Sequence, residues 1–467
     1  MKRIKWILLI TCITLITVSC TRNNVRTNDQ TESLSQPHNT ETAVANYTEN
    51  PSQMRKTTQQ MTVPSEETQS PSQEETTRSI SESDQVSVPS TFITAESEDV
   101  TKPPFEGKIA LITNSRIASE VEYESGVAVS KKYGRDRVVH VTWPASYFYD
   151  QQGMIDVVDA LGSDPDIKAI IINQTLPGTN AAIDKLKETR NDIFVAYIIP
   201  QDDFADSVKN ANLLLDLDLR GIGPSAVRQA KTLGARTFVY YSIQPIAGGS
   251  PMNNNIDLIE QECAKVGIEF IETPIPHPYD ELGLNGSIEA MRKDVDSKIV
   301  EYGKDTAFFV MREFLDQALL EIVMEAGAIN PHLARLGDFY VGSLALALDL
   351  TIGEKYDIEE VIAQERVLLA EKNMLGRISS WPVKYPVALT VASADYAVKW
   401  INGEVPREGI DREILTQLMS DYVGVQTYLT PFVIGYSKND IYNLDEEETG
   451  EVYENFLLMR MDYITFD

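Results

Sequence analysis

The sequence predicts an α/β protein made of two doubly wound, Rossmann-like lobes of parallel sheet flanked by helices. Three observations lead there. Short continuous runs of Val, Ile, Leu and Phe recur from Phe105 onward, as in strands buried on both faces. Amphipathic stretches of helical length separate them, and parallel neighbours need such crossovers, which are right-handed. The stretch from Phe105 to Asp467 is also too long for one simple core.

The first lobe is expected over residues 105–218. KIALIT (Lys108–Thr113) is a strand and SEVEYESGVAVSKKYG a helix. VVHVTWP, KAIIINQ, IFVAYIIP and NLLLDLD are further strands, with QQGMIDVVDALGSDP and TNAAIDKLKETR as helices between them. The same grammar repeats over 219–338. SAVRQAKTLGA, NNIDLIEQECAKVG, IEAMRKDVDSKIVEYG and REFLDQALLEIVMEAG are helices. TFVYYSI, EFIETPIP and AFFVM are strands, with LARLGDF as a further short one. Residues 339–467 are expected to return and brace the first lobe. There IEEVIAQERVLLAEKNM reads as a helix, VALTVA as a strand, and ADYAVKWING and REILTQLMSDYVG as helices.

The first hundred residues differ in kind. Lys2, Arg3 and Lys5 precede an apolar run from Trp6 to Val18, too short for a comfortable membrane span of ~20 residues. A basic start and a short apolar core make an export signal. Cys20 follows the small Ser19. The arrangement resembles a bacterial lipoprotein signal, which implies residues 1–20 as the signal and lipid on Cys20. Thr17 stands where that signal usually has Leu. An ordinary cleaved signal and an uncleaved anchor are the alternatives. Residues 21–104 are rich in Ser, Thr, Gln, Glu and Pro, cannot offset their ordering entropy by burial, and read as a disordered tether. These readings place the chain on the extracytoplasmic face of the cell membrane.

Seventy acids against 41 Lys plus Arg give a formal charge of −29. Phosphate affinity comes from clustered Lys and Arg, so no nucleic-acid partner is expected. Cys12 and Cys20 belong to the signal, and Cys263 sits on a helical pattern as a buried thiol. The four histidines, His38, His140, His277 and His332, lack metal spacing, so no metal site is expected. Gly221-x-Gly223-x-x-Ala226 imitates a dinucleotide fingerprint, but the next strand ends YYSIQ with no acid for the ribose. It reads as a helix start with Pro224 near the first turn, and no cofactor is expected.

GKIALITNS, followed by a helix and by strands ending in WP, NQT and PQDD, resembles the N-lobe of a type 1 periplasmic-binding-protein fold. NNIDLIEQECAKVGIEFIETPIP, DTAFFVMREFLDQALLEIVMEAGA and LGDF resemble units of its second half. The chain is similar to a family of uncharacterised bacterial lipoproteins that carry a domain of unknown function with this fold. The resemblance implies two lobes facing one cleft, and open α/β sheets bind ligands outside the carboxyl ends of their strands.

Position then nominates the ligand-binding residues. The first lobe offers Asn114, Ser115, Arg116, Trp143, Tyr147, Asn173, Gln174, Thr175, Gln201, Asp202 and Asp218. The second offers Tyr241, Ser242, Gln244, His277, Arg312 and Glu313, with Asp338 near the return crossing. Trp143 and Tyr147 suit stacking on a ring, the amides and acids suit hydroxyls, and Arg116 and Arg312 suit a carboxylate or phosphate. The ligand expected is a small polar solute such as a nucleoside, sugar or amino acid. The leading function is capture of that solute for a membrane transporter. A sensor docking on a signalling protein is the alternative, and a cleft hydrolase using Asp202 and Asp218 ranks third. No ordered nucleophile–base set appears, so the chain is not read as an enzyme.

Overall fold

Nine elements alternate through the first half of the chain: β1 (Lys108–Thr113), α1 (Glu120–Tyr133), β2 (Val138–Thr142), α2 (Gln151–Gly162), β3 (Ile167–Thr175), α3 (Thr179–Lys187), β4 (Phe194–Pro200), α4 (Phe204–Asn210) and β5 (Leu213–Leu217). The structure, a computed structural model, describes residues 105–243, 256–331, 342–350, 358–434 and 450–467. The five strands pair in parallel in the order β2-β1-β3-β4-β5. Their side chains alternate between two buried faces, Ile109 and Leu111 on one, Ala110 and Ile112 on the other. That double burial is why the runs are continuous rather than alternating. The order reverses between β1 and β3, which is the topological switch point of this sheet.

The second sheet is built the same way. α5 (Leu219–Thr232), β6 (Thr237–Ile243), α6 (Ile256–Val266), β7 (Glu269–Ile275), α7 (Gly283–Tyr302), β8 (Thr306–Val310) and α8 (Glu313–Ala326) follow. The parallel order is β7-β6-β8, with its own switch point between β6 and β8. Parallel bridges from Ala307 to Ile329 and from Asn330 to Ile378 extend it. The fold is thus built on two sheets of mainly parallel strands flanked by helices. Pro224 is the sixth residue of α5 rather than lying near its first turn, because the helix already starts at the Asp218 cap.

The last third divides differently from the expectation. α9 (Gly342–Ala347) and α10 (Ile358–Glu371) belong to the second lobe. Leu344, Leu348, Leu369 and Ile378 pack with Val239, Tyr241 and Phe308 in its core. The residues that reach the first lobe start near 385, not at 339. VALTVA is not a strand: it lies inside α11 (Tyr385–Ile401), a helix buried nearly all round. Pro386 at its start supplies a preset φ where no N–H is missed. α11 crosses β3, β4, β5 and α1, and α12 (Arg412–Val423) packs on α11. β10 (Thr427–Ile434) and β11 (Glu451–Met461) then extend the first sheet, with β11 parallel to β5 and β10 antiparallel at the edge. LARLGDF lies outside the described residues.

Three segments join the lobes. The chain crosses at 217–219, between β5 and α5. It returns at 381–384, between β9 (Ser379–Ser380) and α11. It crosses again at 462–463, between β11 and β12 (Ile464–Thr465), which pairs with β9. The return crossing therefore lies at 381–384 and not beside Asp338, a residue outside those described.

Candidate functional site

The carboxyl ends of β1 and β3 meet at the switch point, and a carboxylate is buried there. Glu122, in the first turn of α1, accepts the Asn114 amide at 2.8 Å and the Asn114 N–H at 3.4 Å. Ser119 and the Gln174 N–H also bond it. Burial pushes this carboxyl above its usual range, and the hydrogen bonds oppose the shift. Trp143, 3 % exposed, donates its Nε1–H to the Gln174 carbonyl at 3.2 Å. Its ring is part of the packing beneath the site rather than a free stacking face. Tyr147 is half-buried, and burial and the Glu122 charge raise its phenol. Its ring lies 4.3 Å from that of Phe148. Phe148 and Tyr149 are 73 % and 93 % exposed.

Other nominated groups are spent on the protein. The Asn173 amide donates to Thr390 at 2.7 Å and to Ser125 at 3.2 Å, wholly buried. Thr175 is also buried. Asp202 caps α3, accepting the Gly178 and Asn180 N–H groups at 3.1 and 2.8 Å. Asp218 caps α5 through Gly221 and pairs with Arg460 Nε at 2.7 Å. Arg116 pairs with Glu124 and lies 5.3 Å over the Tyr123 ring. Ser115 and Gln201 stay at the edge, and Gln201 donates its N–H to the Thr175 carbonyl at 2.9 Å. Ile199 before it has φ +53°, a left-handed backbone that costs a β-branched residue about 1–3 kcal/mol. Such strain collects at functional edges.

In the second lobe Tyr241 points into the core and donates to Asp294 at 3.1 Å. Ser242 donates to Glu272 at 2.5 Å. The buried His277 accepts the Tyr279 N–H at its Nδ1, 3.1 Å away. Arg312 stands at the second switch point, half-buried, donating to the Met311 carbonyl at 2.7 Å. Burial lowers its proton affinity. Gln244 and Asp338 lie outside the described residues, as do the side chain of Glu313 and the whole of Cys20.

Position along the strands therefore brings Asn114, Gln174, Trp143 and Tyr147 together and leaves Arg312 at the matching place in the second sheet. Reading the sequence missed Glu122, which lies in the first turn of α1. It also missed Asp216, the fourth residue of β5, whose carboxyl burial pushes up to about 6. Two cavities are described, of about 320 and 580 Å³. Both lie along the seam of α5 with β10 and β11, and of the nominated residues only Asp218 lines either. Among the described residues no cluster of three His, Cys, Asp or Glu is placed to hold a metal.

The chain is similar to two uncharacterized proteins of Treponema pallidum (strain Nichols). One is 28% identical over 144 residues, 31% of this chain and 65% of that protein. The match thus covers just under two thirds of that relative. The other is 24% identical over 194 residues, 39% of this chain and 90% of that protein. A crystal structure from Clostridium difficile 630, provisionally named a transcriptional regulator, superposes with a TM-score of 0.66 at 17% identity. It covers 77% of this chain and 99% of its own, a likeness of fold. The family model described as a protein of unknown function, DUF3798, matches residues 107–379, and the chain belongs to that family.

Proposed function

We propose that this protein is an extracytoplasmic, lipid-anchored solute-binding protein that captures a small polar ligand between its lobes for a membrane transporter. The observation that carries the reading is the buried Glu122 carboxylate at the switch point, flanked by the Asn114 and Gln174 amides and by the Tyr147–Phe148 rings. Glu122 fixes Asn114 at the strand ends, where an amide suits the hydroxyls of a solute. The exposed Phe148 ring, against the half-buried Tyr147, suits the flat face of a sugar, nucleoside or amino-acid-like solute. Three crossings between two sheets suit hinge closure. Anchoring through Cys20 would keep captured solute near the membrane.

Thermal unfolding of the full chain against nucleosides, sugars, amino acids and short peptides tests the reading. Ligand at a hundred times its dissociation constant stabilises by about 2.7 kcal/mol. One responding class, with the response lost in Glu122→Gln, is the expected result. A panel with no responder, or a response that survives Glu122→Gln unchanged, counts against it.

A further inference from the structure

The 580 Å³ cavity falls within the ~300–1,000 Å³ range of small-molecule pockets. It is separate from the strand-end loops. Arg228 and Gln229 come from α5 of the second lobe, Tyr428 and Arg460 from β10 and β11 of the first, and Asp462 and Tyr463 from the crossing between lobes. Its walls hold two guanidiniums against one carboxylate, in a chain whose net charge is −29.

Among the described residues most of the arginine donors here are uncommitted. Arg228 gives one bond, from Nη1 to Glu262 at 2.9 Å. Arg460 gives one, from Nε to Asp218 at 2.7 Å, and lies 5.5 Å over the Tyr428 ring. Glu262 and Asp218 do not line the cavity. A guanidinium carries five N–H donors, so both keep donors for a guest. Both arginine charges act on the Tyr428 and Tyr463 phenols, which places the two guanidiniums around the same space. Asp462 turns one oxygen to the Tyr428 hydroxyl, 3.3 Å away. The half-exposed Tyr428 ring leaves an apolar wall for the body of a guest.

We propose that this cavity binds a small organic oxyanion, a carboxylate or phosphate on a compact molecule, held between Arg228 and Arg460. Planar guanidiniums meet such groups with paired hydrogen bonds. Because the two arginines belong to different lobes, the guest ties one lobe to the other beside the third crossing.

Isothermal titration of the full chain with inorganic phosphate and, separately, succinate tests this, at fixed ionic strength with chloride as the reference. Saturable binding of at least one, near millimolar or tighter, is expected. Arg228→Gln should weaken it about tenfold or more, the scale of one lost charge-assisted contact. Arg460→Gln combined with Asp218→Asn, which leaves no carboxylate unpaired, should do the same. Circular dichroism melts establish that each variant is folded. Absence of saturable binding, or wild-type affinity in the folded Arg228→Gln variant, overturns the proposal. If Glu122→Gln abolishes the binding and Arg228→Gln does not, the oxyanion sits in the cleft; this proposal then fails while solute capture stands.

Discussion

Asp216 carries a clear pH signature. Asp216 is half-buried on β5 and accepts one N–H, from Leu217 at 2.7 Å. Burial raises it to about 6 from an ordinary 3.8. A carboxyl raised in the folded state gives stability that is full below its unfolded value and is lost as pH rises to the folded one. The loss therefore falls between about pH 4 and 6 and amounts to roughly 1–3 kcal/mol at neutrality. Asp216→Asn should be more stable than wild type at pH 7 and flatter across that window, measured by urea denaturation. Trp143→Ala makes a contrasting case. The indole is buried and hydrogen-bonded, so its loss should cost about 3–5 kcal/mol of stability and not simply ligand affinity. A variant as stable as wild type would show that the indole does not pack as described. Neither acid that matters most was legible beforehand. Glu122 and Asp216 are two of 70 acids, and only the fold tells which are desolvated.

Gly126 makes the case at the scale of elements. It lies in α1 against the His140 ring, and a Cβ there would come within 2.4 Å of Nε2. That nitrogen is 2.9 Å from the Thr113 hydroxyl. The single hydroxyl hydrogen goes to the Asn114 carbonyl, so Nε2 is the donor and the ring is held. Gly126→Ala should therefore lose about 1–3 kcal/mol to overpacking, although Ala favours helix by about 1 kcal/mol. A stability gain in a thermal melt would contradict this packing. The strands buried on both faces were legible, since continuous apolar runs such as those of β1, β3 and β6 have one ready explanation. α11 was not: a helix buried all round shows no polar face, and its Val and Thr residues read as strand. β10 and β11 were not foreseen as strands, because β10 at the edge and the outer end of β11 leave Tyr428, Thr430 and Glu454 exposed among buried residues. Pairing such as Phe456 with Leu214, far apart in the chain, leaves no local sign.

The described residues of the whole molecule form two lobes. The sequence carried the two-sheet architecture because each βαβ unit is locally encoded. It did not carry the position of the return crossing, which depends on how α9 packs on α8 and α10 on α9 rather than on any boundary residue. Cys20→Ser should shift the protein from the membrane to the soluble fraction on cell fractionation. An unchanged membrane fraction would point to an uncleaved anchor. Solute capture as proposed requires the lobes to close on the ligand. It is tested most directly by the distance between spin labels at Ser146→Cys and Asp280→Cys, exposed positions after β2 and β7, with and without a solute that stabilises the fold. Closure predicts a shorter, narrower distance distribution in the bound state. An unchanged distribution at saturating solute would contradict capture between the lobes.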